Sequence, residues 1–312
     1  MSAPGRFTLS LDCEGLWGMA DRDAVVRAGL ICTRSLTEAY SVISRVLDQN
    51  GIRATCAFVS SFAAAPESIA EQRTLFRELA AASPAWFRNI LPALGTASLD
   101  GWSGHYAYCA LRDAGHEMGW HGATHLPLSD DTPADAVALE IELAQRLFQA
   151  AGHRPTSIVF PRNLVGHLET LRHAGFDTYR ASAGSGGMAR RVYGLLREWD
   201  IRDAATQAKP VVRAGWCVSP AGNFLNWPRG ARALVPVGVT VRRWRSLLRH
   251  AANEGGYVHM WFHPHNLITA PAMRASFEEI LREAGQLVRS GALANVTMGE
   301  AAVGARALRE PA

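Results

Sequence analysis

The chain has 312 residues, of which 48% are hydrophobic and 19% charged, so it is long enough and apolar enough for one large folded domain. Its net charge of +4 comes from 32 basic and 28 acidic residues, with no run of five lysines or arginines, which argues against a nucleic-acid-binding protein. No apolar stretch approaches the ~20 residues that cross a membrane, so the sequence predicts no transmembrane segment.

Hydrophobic periodicity predicts strands that alternate with helices along the chain. The predicted strands lie at 7–11, 53–60, 116–120, 156–160, 176–181, 233–239 and 256–262. The predicted helices lie at 22–48, 133–151, 166–175, 240–254 and 273–290. This order favours a parallel sheet covered by helices, as a barrel or an open sheet, in a single domain over residues 1–312.

Two segments depart from this alternation. The stretch 61–110 contains several prolines and is too long for a simple connection, so we expect an inserted helical segment beside the site. The run 183–187 is rich in glycine but lacks the Lys-Ser/Thr of a phosphate-binding loop, so we interpret it as a flexible loop.

The five cysteines, at positions 13, 32, 56, 109 and 217, include no CxxC pair. An odd number without such a pair fits reduced thiols better than a disulfide framework or a zinc knuckle. The first residues enter a strand without the charged and apolar regions of a signal peptide. We therefore expect a cytoplasmic protein, whose oligomeric state the composition does not indicate.

The first candidate residues are two acids at the end of the first predicted strand. Asp12 and Glu14 stand at i and i+2, so in extended chain they point the same way. Two carboxylates on one face repel each other unless a cation or a shared proton separates their roles. One could bind a metal ion while the other acts as a base. Alternatively, either could cap the next helix at a simple turn.

Two histidines follow the third predicted strand. His121 and His125 are four residues apart and can bind one metal ion from neighbouring positions. A catalytic metal usually takes three protein ligands and keeps an open position for water, and the first acidic segment is the best source of the third ligand. Two histidines and a carboxylate suit zinc, while iron, cobalt, nickel and manganese accept the same set.

Further polar residues lie at the carboxyl ends of later strands. Arg162 and Asn163 follow the fourth predicted strand, and His263 follows the last. In parallel α/β barrels these ends converge on one rim, so groups far apart in sequence could meet. An imidazole can donate a proton to a leaving amine, and His265 is a second candidate for that role. Either histidine could instead be a packed or surface residue.

The ordered motifs resemble the polysaccharide deacetylase family, the family 4 carbohydrate esterases with a NodB homology domain. The matching segments are Asp12-Cys13-Glu14, His121-Gly122-Ala123-Thr124-His125, Phe160-Pro161-Arg162-Asn163 and Trp261-Phe262-His263-Pro264-His265-Asn266. The spacing of the two acids resembles a D-x-D/E branch of cytoplasmic members. The resemblance implies a distorted (β/α)7-type barrel and metal-dependent hydrolysis of an amide or ester on a sugar.

The resemblance also implies roles for individual residues. These are Asp12 as general base, Glu14, His121 and His125 as metal ligands, His263 as general acid, and Arg162 as the residue that orients Asp12. For substrate binding we consider Trp17 as a platform for a sugar ring, although core packing is the commoner fate of tryptophan. Asn163, His265 and Asn266 are further candidates for contacts with sugar hydroxyls, and the two asparagines could instead cap turns.

We therefore predict a metal-dependent hydrolase that removes an acetyl or formyl group from the nitrogen of an amino sugar in a small or carrier-linked intermediate. A second hypothesis is hydrolysis of a non-sugar C–N bond, as in allantoinase-like members of the same fold. Aromatic platforms around the rim would favour the sugar, and a small charged pocket the alternative. A third is a non-catalytic sugar-binding protein on the same scaffold.

Overall fold

The structure, a computed structural model, describes residues 4–95, 99–182, 198–199 and 208–308. The predicted loop at 183–187 lies outside these ranges. No helix among the described residues combines the length and the apolar character needed to cross a membrane.

Within the described ranges, a single sheet of ten strands forms the centre of the molecule. The strands are β1 (Gly5–Cys13), β2 (Thr55–Phe58), β3 (Glu117–Trp120), β4 (Ser157–Ile158), β5 (Thr178–Arg180), β6 (Val211–Arg213), β7 (Trp216–Ser219), β8 (Asn223–Phe224), β9 (Tyr257–Phe262) and β10 (Leu293–Asn295). Their order is β6-β7-β5-β4-β3-β2-β1-β9-β8, and β10 pairs with the start of β1. All pairs are parallel except β6 with β7. The sheet curls into a partial barrel, which confirms the predicted barrel-like α/β fold.

Helices surround this sheet and fill the connections between strands. In the described ranges they are α1 (Asp23–Arg27), α2 (Thr33–Asn50), α3 (Ser60–Ala63), α4 (Pro66–Glu71), α5 (Arg73–Ala82), α6 (Pro84–Phe87), α7 (Ile90–Gly95), α8 (His105–Asp113), α9 (Ala134–Ala150), α10 (Leu168–His173), α11 (Val237–Glu254), α12 (Asn266–Thr269), α13 (Met273–Arg289) and α14 (Met298–Ala307). Helices α3 to α8 lie between β2 and β3, which confirms the predicted helical insertion at 61–110.

Strand β1 is the middle of the sheet, hydrogen-bonded to β2 on one side and β9 on the other. Its side chains alternate along the chain, as the sequence pattern predicts. The apolar set Phe7, Leu9 and Leu11 belongs to the hydrophobic core. The polar set, which includes Ser10 and Asp12, is also buried and takes part in hydrogen bonds to residues of β9 and β5. Both faces of β1 are therefore inaccessible to bulk water.

Two element predictions are wrong, and both errors have local causes. The predicted strand at 233–239 is instead a 3-10 helix at Gly230–Leu234 followed by the start of α11, with Pro236 as its N-cap. The valines there resemble a strand but also fit one face of a helix. The predicted helix at 22–48 is broken into α1 and α2, because Gly29 adopts a left-handed conformation with φ +65°.

Candidate active site

The carboxyl ends of β1, β3, β4 and β9 open into one cavity of about 380 Å³. The structure brings together in its lining most of the residues predicted from sequence: Asp12, Glu14, His121, His125, Arg162, Asn163, His263, His265 and Asn266. Parallel pairing accounts for this convergence, because every strand that contributes runs in the same direction towards this edge.

At the base of the cavity, three buried side chains point at one another. The Oε2 atom of Glu14 lies 2.8 Å from Nε2 of His125 and 3.2 Å from Nε2 of His121. One donor atom from each of the three residues lies within 4.8 Å of the other two. This group is the one that the sequence predicts as the metal ligands, and its geometry could hold a metal ion.

The imidazole nitrogens of this group are placed to accept a cation. Nδ1 of His121 lies 2.7 Å from the carbonyl oxygen of Val159, which can only accept, so Nδ1 carries a hydrogen and Nε2, which faces Glu14, is the nitrogen left to bind a metal. Burial lowers the pKa of His125 to about 4, so this ring is neutral at physiological pH. Burial opposes ionisation of Glu14 as well, yet nearby His263 and the hydrogen bonds with His121 and His125 hold the pKa of its carboxyl well below the usual value. One carboxylate and two imidazole nitrogens form a donor set that suits a divalent metal ion.

Asp12 is held by an arginine that sequence reasoning missed. Nη1 and Nη2 of Arg180 donate to the two carboxylate oxygens of Asp12 at 2.8 and 2.7 Å, and both side chains are fully buried. Burial would raise the pKa of Asp12, but the paired guanidinium outweighs it and lowers the pKa below the usual value. Arg180 also stacks over the ring of Trp261 and donates to Asn163.

The prediction that Arg162 orients Asp12 does not match this geometry. Arg162 instead donates to the carboxylate of Asp21 at 2.6 Å and to the carbonyl oxygen of Gly18 at 3.1 Å. Its backbone has φ +58°, which turns the chain after β4 so that the side chain lies along the cavity wall over Trp86. The reason for the error is that a residue following a strand turns with the loop, whereas Arg180 is the last residue of β5.

The two candidate acids, His263 and His265, line the same cavity. Nε2 of His263 is 3.8 Å from Asp12 and 3.7 Å from Glu14, and about a quarter of its side chain is exposed. His265 is buried, with Nδ1 3.7 Å from Glu14 and no hydrogen-bond partner among the described residues. Asn266 accepts from the backbone N–H of His263, and its Oδ1 also lies 3.3 Å from the ring Nδ1. Asn266 thus fixes the orientation of the His263 ring, a role that the sequence analysis did not predict for it.

Trp17 does not form a sugar platform. Its ring is fully buried between Phe76 and Trp102, and its indole N–H donates to the Trp102 carbonyl. The prediction of Trp17 as a substrate-binding residue is therefore wrong. The position of a tryptophan three residues after the end of a strand does not determine whether its ring faces the cavity. Here the 3-10 helix at Trp17–Met19 directs the ring into the core.

Comparisons with known proteins relate part of this chain to one family. The sequence model of the family described as polysaccharide deacetylase matches residues 31–176, a segment that includes both His121 and His125. Residues 31–176 are therefore similar to a polysaccharide deacetylase domain. Comparison with curated proteins found no match.

Several solved structures resemble this chain over nearly its whole length. One from Mycobacterium smegmatis, described as a polysaccharide deacetylase, has a TM-score of 0.61 and 14% identity, and the match covers 99% of this chain and 96% of the other. A second from Pseudomonas aeruginosa PAO1, with the same description, has a TM-score of 0.53 and 13% identity over 96% and 89%. An allantoinase has a TM-score of 0.54 and 14% identity over 99% and 93%. At these identities the likeness shows the fold.

The cavity also has an aromatic wall that sequence reasoning did not assign. Phe224 and Trp227 line the cavity together with Trp261, and all three are partly exposed. The short strand β8 pairs with β9 so that Phe224 lies beside Trp261, with ring centroids 4.7 Å apart. A two-residue strand has no detectable periodicity, so the sequence offered no signal for it.

Replacing Arg180 by methionine should destabilise the protein far more than the same change at Arg162. Arg180→Met leaves the buried Asp12 carboxylate unpaired, at a cost of about 3–5 kcal/mol. Arg162→Met breaks a half-exposed ion pair and should cost about 0–1 kcal/mol. The free energy of unfolding in urea at pH 7 is the measurement. Since the folded-state pKa of Asp12 is lowered, the difference is fully present there and is lost as the pH falls through that pKa. Equal costs would contradict the assignment of Arg180 to Asp12.

Gly18→Ala should weaken metal binding with little loss of stability. A Cβ atom at position 18 would overlap the Glu14 carboxylate, which would have to move away from His121 and His125. We expect the affinity for zinc to fall by about tenfold or more, as for other changes beside metal ligands. Competition with a chromophoric chelator measures it, and Gly238→Ala, where an added Cβ meets nothing, is the matched control. Unchanged affinity would show that Glu14 is not a ligand.

Proposed function

We propose that this protein hydrolyses the N-acyl group, acetyl or formyl, of an amino sugar in a small or carrier-linked intermediate. The proposed cofactor is one divalent ion held by Glu14, His121 and His125, with zinc preferred and iron, cobalt, nickel and manganese as alternatives. The observation that carries this proposal is the meeting of an arginine-held carboxylate, the three-donor group and a partly exposed histidine in one cavity. We further propose that residues 1–312 act as one catalytic domain.

Asp12 is the proposed general base. Its lowered pKa keeps it ionised at neutral pH, and Arg180 fixes both oxygens so that the carboxylate presents one orientation to the cavity. From there it can accept a proton from the attacking water. A bound divalent ion would lower the pKa of that water and polarise the acyl carbonyl. Because Arg180 stacks on Trp261, the base cannot swing away without breaking a buried contact.

His263 is the proposed general acid. Its Nδ1 lies 3.3 Å from the side-chain Oδ1 of Asn266, so Nδ1 holds a hydrogen and Nε2 faces the cavity. A protonated Nε2 would be stabilised by the Asp12 and Glu14 carboxylates within 4 Å. That proton can pass to the departing amine, which leaves poorly as an anion. Burial lowers the pKa of His265 to about 4, which makes this ring the weaker candidate at neutral pH.

The walls of the cavity support a sugar substrate that carries a negative charge. Phe224, Trp227 and Trp261 offer aromatic faces of the kind that pack against the C–H face of a pyranose. Arg162 and the exposed Arg22 also line the cavity, and the Arg22 side chain forms no ion pair with any described residue. Guanidinium groups bind phosphate well, so a nucleotide-linked or lipid-phosphate-linked sugar fits better than neutral polymer. The free state of all five cysteines supports the proposed cytoplasmic location.

Two alternatives share the same site. Hydrolysis of a non-sugar C–N bond is supported by the allantoinase of similar fold and by the two arginines in the cavity. A non-catalytic sugar-binding protein would keep the aromatic wall but would not need Asp12, Arg180 and the three-donor group together. The aromatic wall favours the amino sugar over the first alternative, and the intact acid–base pair favours an enzyme over the second.

The decisive experiment measures metal content and amine release for the wild type, Asp12→Asn and His125→Ala. The substrates are N-acetyl and N-formyl amino sugars, free and nucleotide-linked, with allantoin as the test of the alternative. We expect about one metal ion per wild-type chain. Asp12→Asn should keep the ion and lose about 10²–10⁴-fold in kcat, the usual effect of removing a general base or acid. His125→Ala should lose the ion, because two ligands remain of three.

Each other outcome has a definite meaning. Turnover of allantoin without turnover of any sugar would replace the proposed substrate by the non-sugar alternative. Sugar binding without turnover in fully metallated wild type would favour the binding protein. Metal loss in Asp12→Asn would contradict its assignment as base and make it a ligand.

Arg22→Gln should impair only charged substrates. If Arg22 contacts a substrate phosphate, its loss should raise KM for a nucleotide-linked sugar about tenfold while leaving the neutral sugar unchanged. Steady-state kinetics on both substrates measure this. The control is Arg27→Gln, since Arg27 is also exposed and lies at the other end of α1 from Arg22 but does not line the cavity. Equal effects of Arg22→Gln on both substrates would remove the argument for a carrier-linked substrate.

A further inference from the structure

Glu140 is a buried carboxylate that the proposed reaction does not use. It lies on α9 with no exposed surface, and its partners all belong to the segment between the two histidine ligands. Its Oε2 accepts from the backbone N–H groups of Ala123 at 2.7 Å and Thr124 at 3.1 Å. Its Oε1 accepts from the hydroxyl of Thr124 in a very short hydrogen bond.

The segment that Glu140 holds has an uncommon backbone. Gly122 has φ +82°, and His125 has φ +62°, a conformation that side chains other than glycine adopt at some cost. A ligand in such a conformation stays in place only when the surrounding contacts outweigh the cost. The position of the His125 ring, 2.8 Å from Glu14, therefore depends on what fixes this loop.

The other contacts fix the carbonyl side of the loop. The backbone N–H groups of Ser60 and Ser61 donate to the carbonyls of Gly122 and Ala123, both at 3.0 Å. The indole N–H of Trp86 donates to the carbonyl of Thr124 at 3.1 Å. Each of these partners is a donor, so none can replace an acceptor for the two N–H groups.

The carboxylate of Glu140 is the acceptor for the backbone N–H groups of both Ala123 and Thr124. A carboxylate has two acceptor oxygens and no donor, and three donors converge on it here. A glutamine would place an NH₂ group against one set of these donors. Burial raises the pKa of Glu140 to about 7 although the bonds to Thr124 and Ala123 act in the opposite direction. A buried acid of this kind is costly to keep and needs a role.

We propose that Glu140 is a positioning residue for the metal ligand His125, so that the affinity of the site for a divalent ion depends on its carboxylate. This inference rests on the metal site of the proposed function. Glu140 touches neither the ion nor the substrate. It acts through the backbone of Ala123 and Thr124, which sets where the next residue places its imidazole.

The test measures the affinity of purified protein for Zn²⁺ by competition with a chromophoric chelator. The variants are Glu140→Gln, Thr124→Val and Thr124→Ser, and the absorption spectrum of the Co²⁺ form reports the ligand geometry. We expect Glu140→Gln to weaken zinc binding by about 10–100-fold and to change the cobalt spectrum. Thr124→Val should weaken zinc binding less, because the two backbone hydrogen bonds to Glu140 remain. Thr124→Ser keeps the hydroxyl group and should bind zinc as tightly as the wild type.

The matched control is Glu283→Gln on α13. Glu283 is also largely buried, but it accepts from Arg249 at 2.7 Å, remote from the cavity lining. Its loss should lower the stability of the protein in urea and leave the zinc affinity and the cobalt spectrum unchanged. Urea unfolding of the metal-free variants separates a general loss of stability from a loss of ligand position.

The outcomes distinguish this inference from the proposed function. If wild type binds zinc tightly and Glu140→Gln binds it equally well, Glu140 has no positioning role, whatever its effect on stability. If Glu140→Gln does not fold, unchanged affinity in Thr124→Val leads to the same conclusion. If wild type itself binds no divalent ion, the metal site fails, and this inference fails with it.

Discussion

Two carboxylates two residues apart, both buried at the end of one strand, are the constraint that shapes this site. Asp12 is 1% exposed and Glu14 is 2% exposed. An ionised carboxylate without water around it needs compensating charge or hydrogen bonds, and two such groups side by side also repel each other. The surrounding chain therefore has to supply two different solutions within a few ångströms.

The two solutions come from different strands of the sheet. Asp12 receives a permanent cation, because β5 ends with Arg180, whose guanidinium also meets Ser10 on the same polar face of β1. Glu14 receives only imidazoles, which are weak and conditional partners. Asp12, which is always paired with a guanidinium, can act as a base of fixed orientation. Glu14 lies among imidazoles and can therefore still bind a cation together with them. The division of roles between base and ligand follows from these neighbours.

The sequence predicted the parts of the site that lie on strong strand ends. The acids after β1, the histidines after β3 and His263 after β9 all follow segments with clear periodicity, and parallel pairing then brings them together. The same rule applied to the predicted strand at 176–181 would have found Arg180, an arginine at the carboxyl end of a strand. What could not be predicted depends on loop conformation or on elements too short for a pattern. Arg162 turns with a positive φ, Trp17 turns into the core, and β8 has two residues.

The residues proposed to catalyse the reaction and those that line the substrate cavity therefore lie on different kinds of structure. The groups proposed to act on the amide belong to strand ends whose spacing is fixed by backbone pairing. The walls belong to irregular chain, with Arg22 and Arg162 on loops and Trp227 just beyond a minimal strand. Loop residues can change without disturbing the sheet. A fold of this kind can keep its strand-end groups while its walls change. We therefore expect the substrate of this protein to be decided by the chemistry of the walls, which combine aromatic faces with arginine side chains.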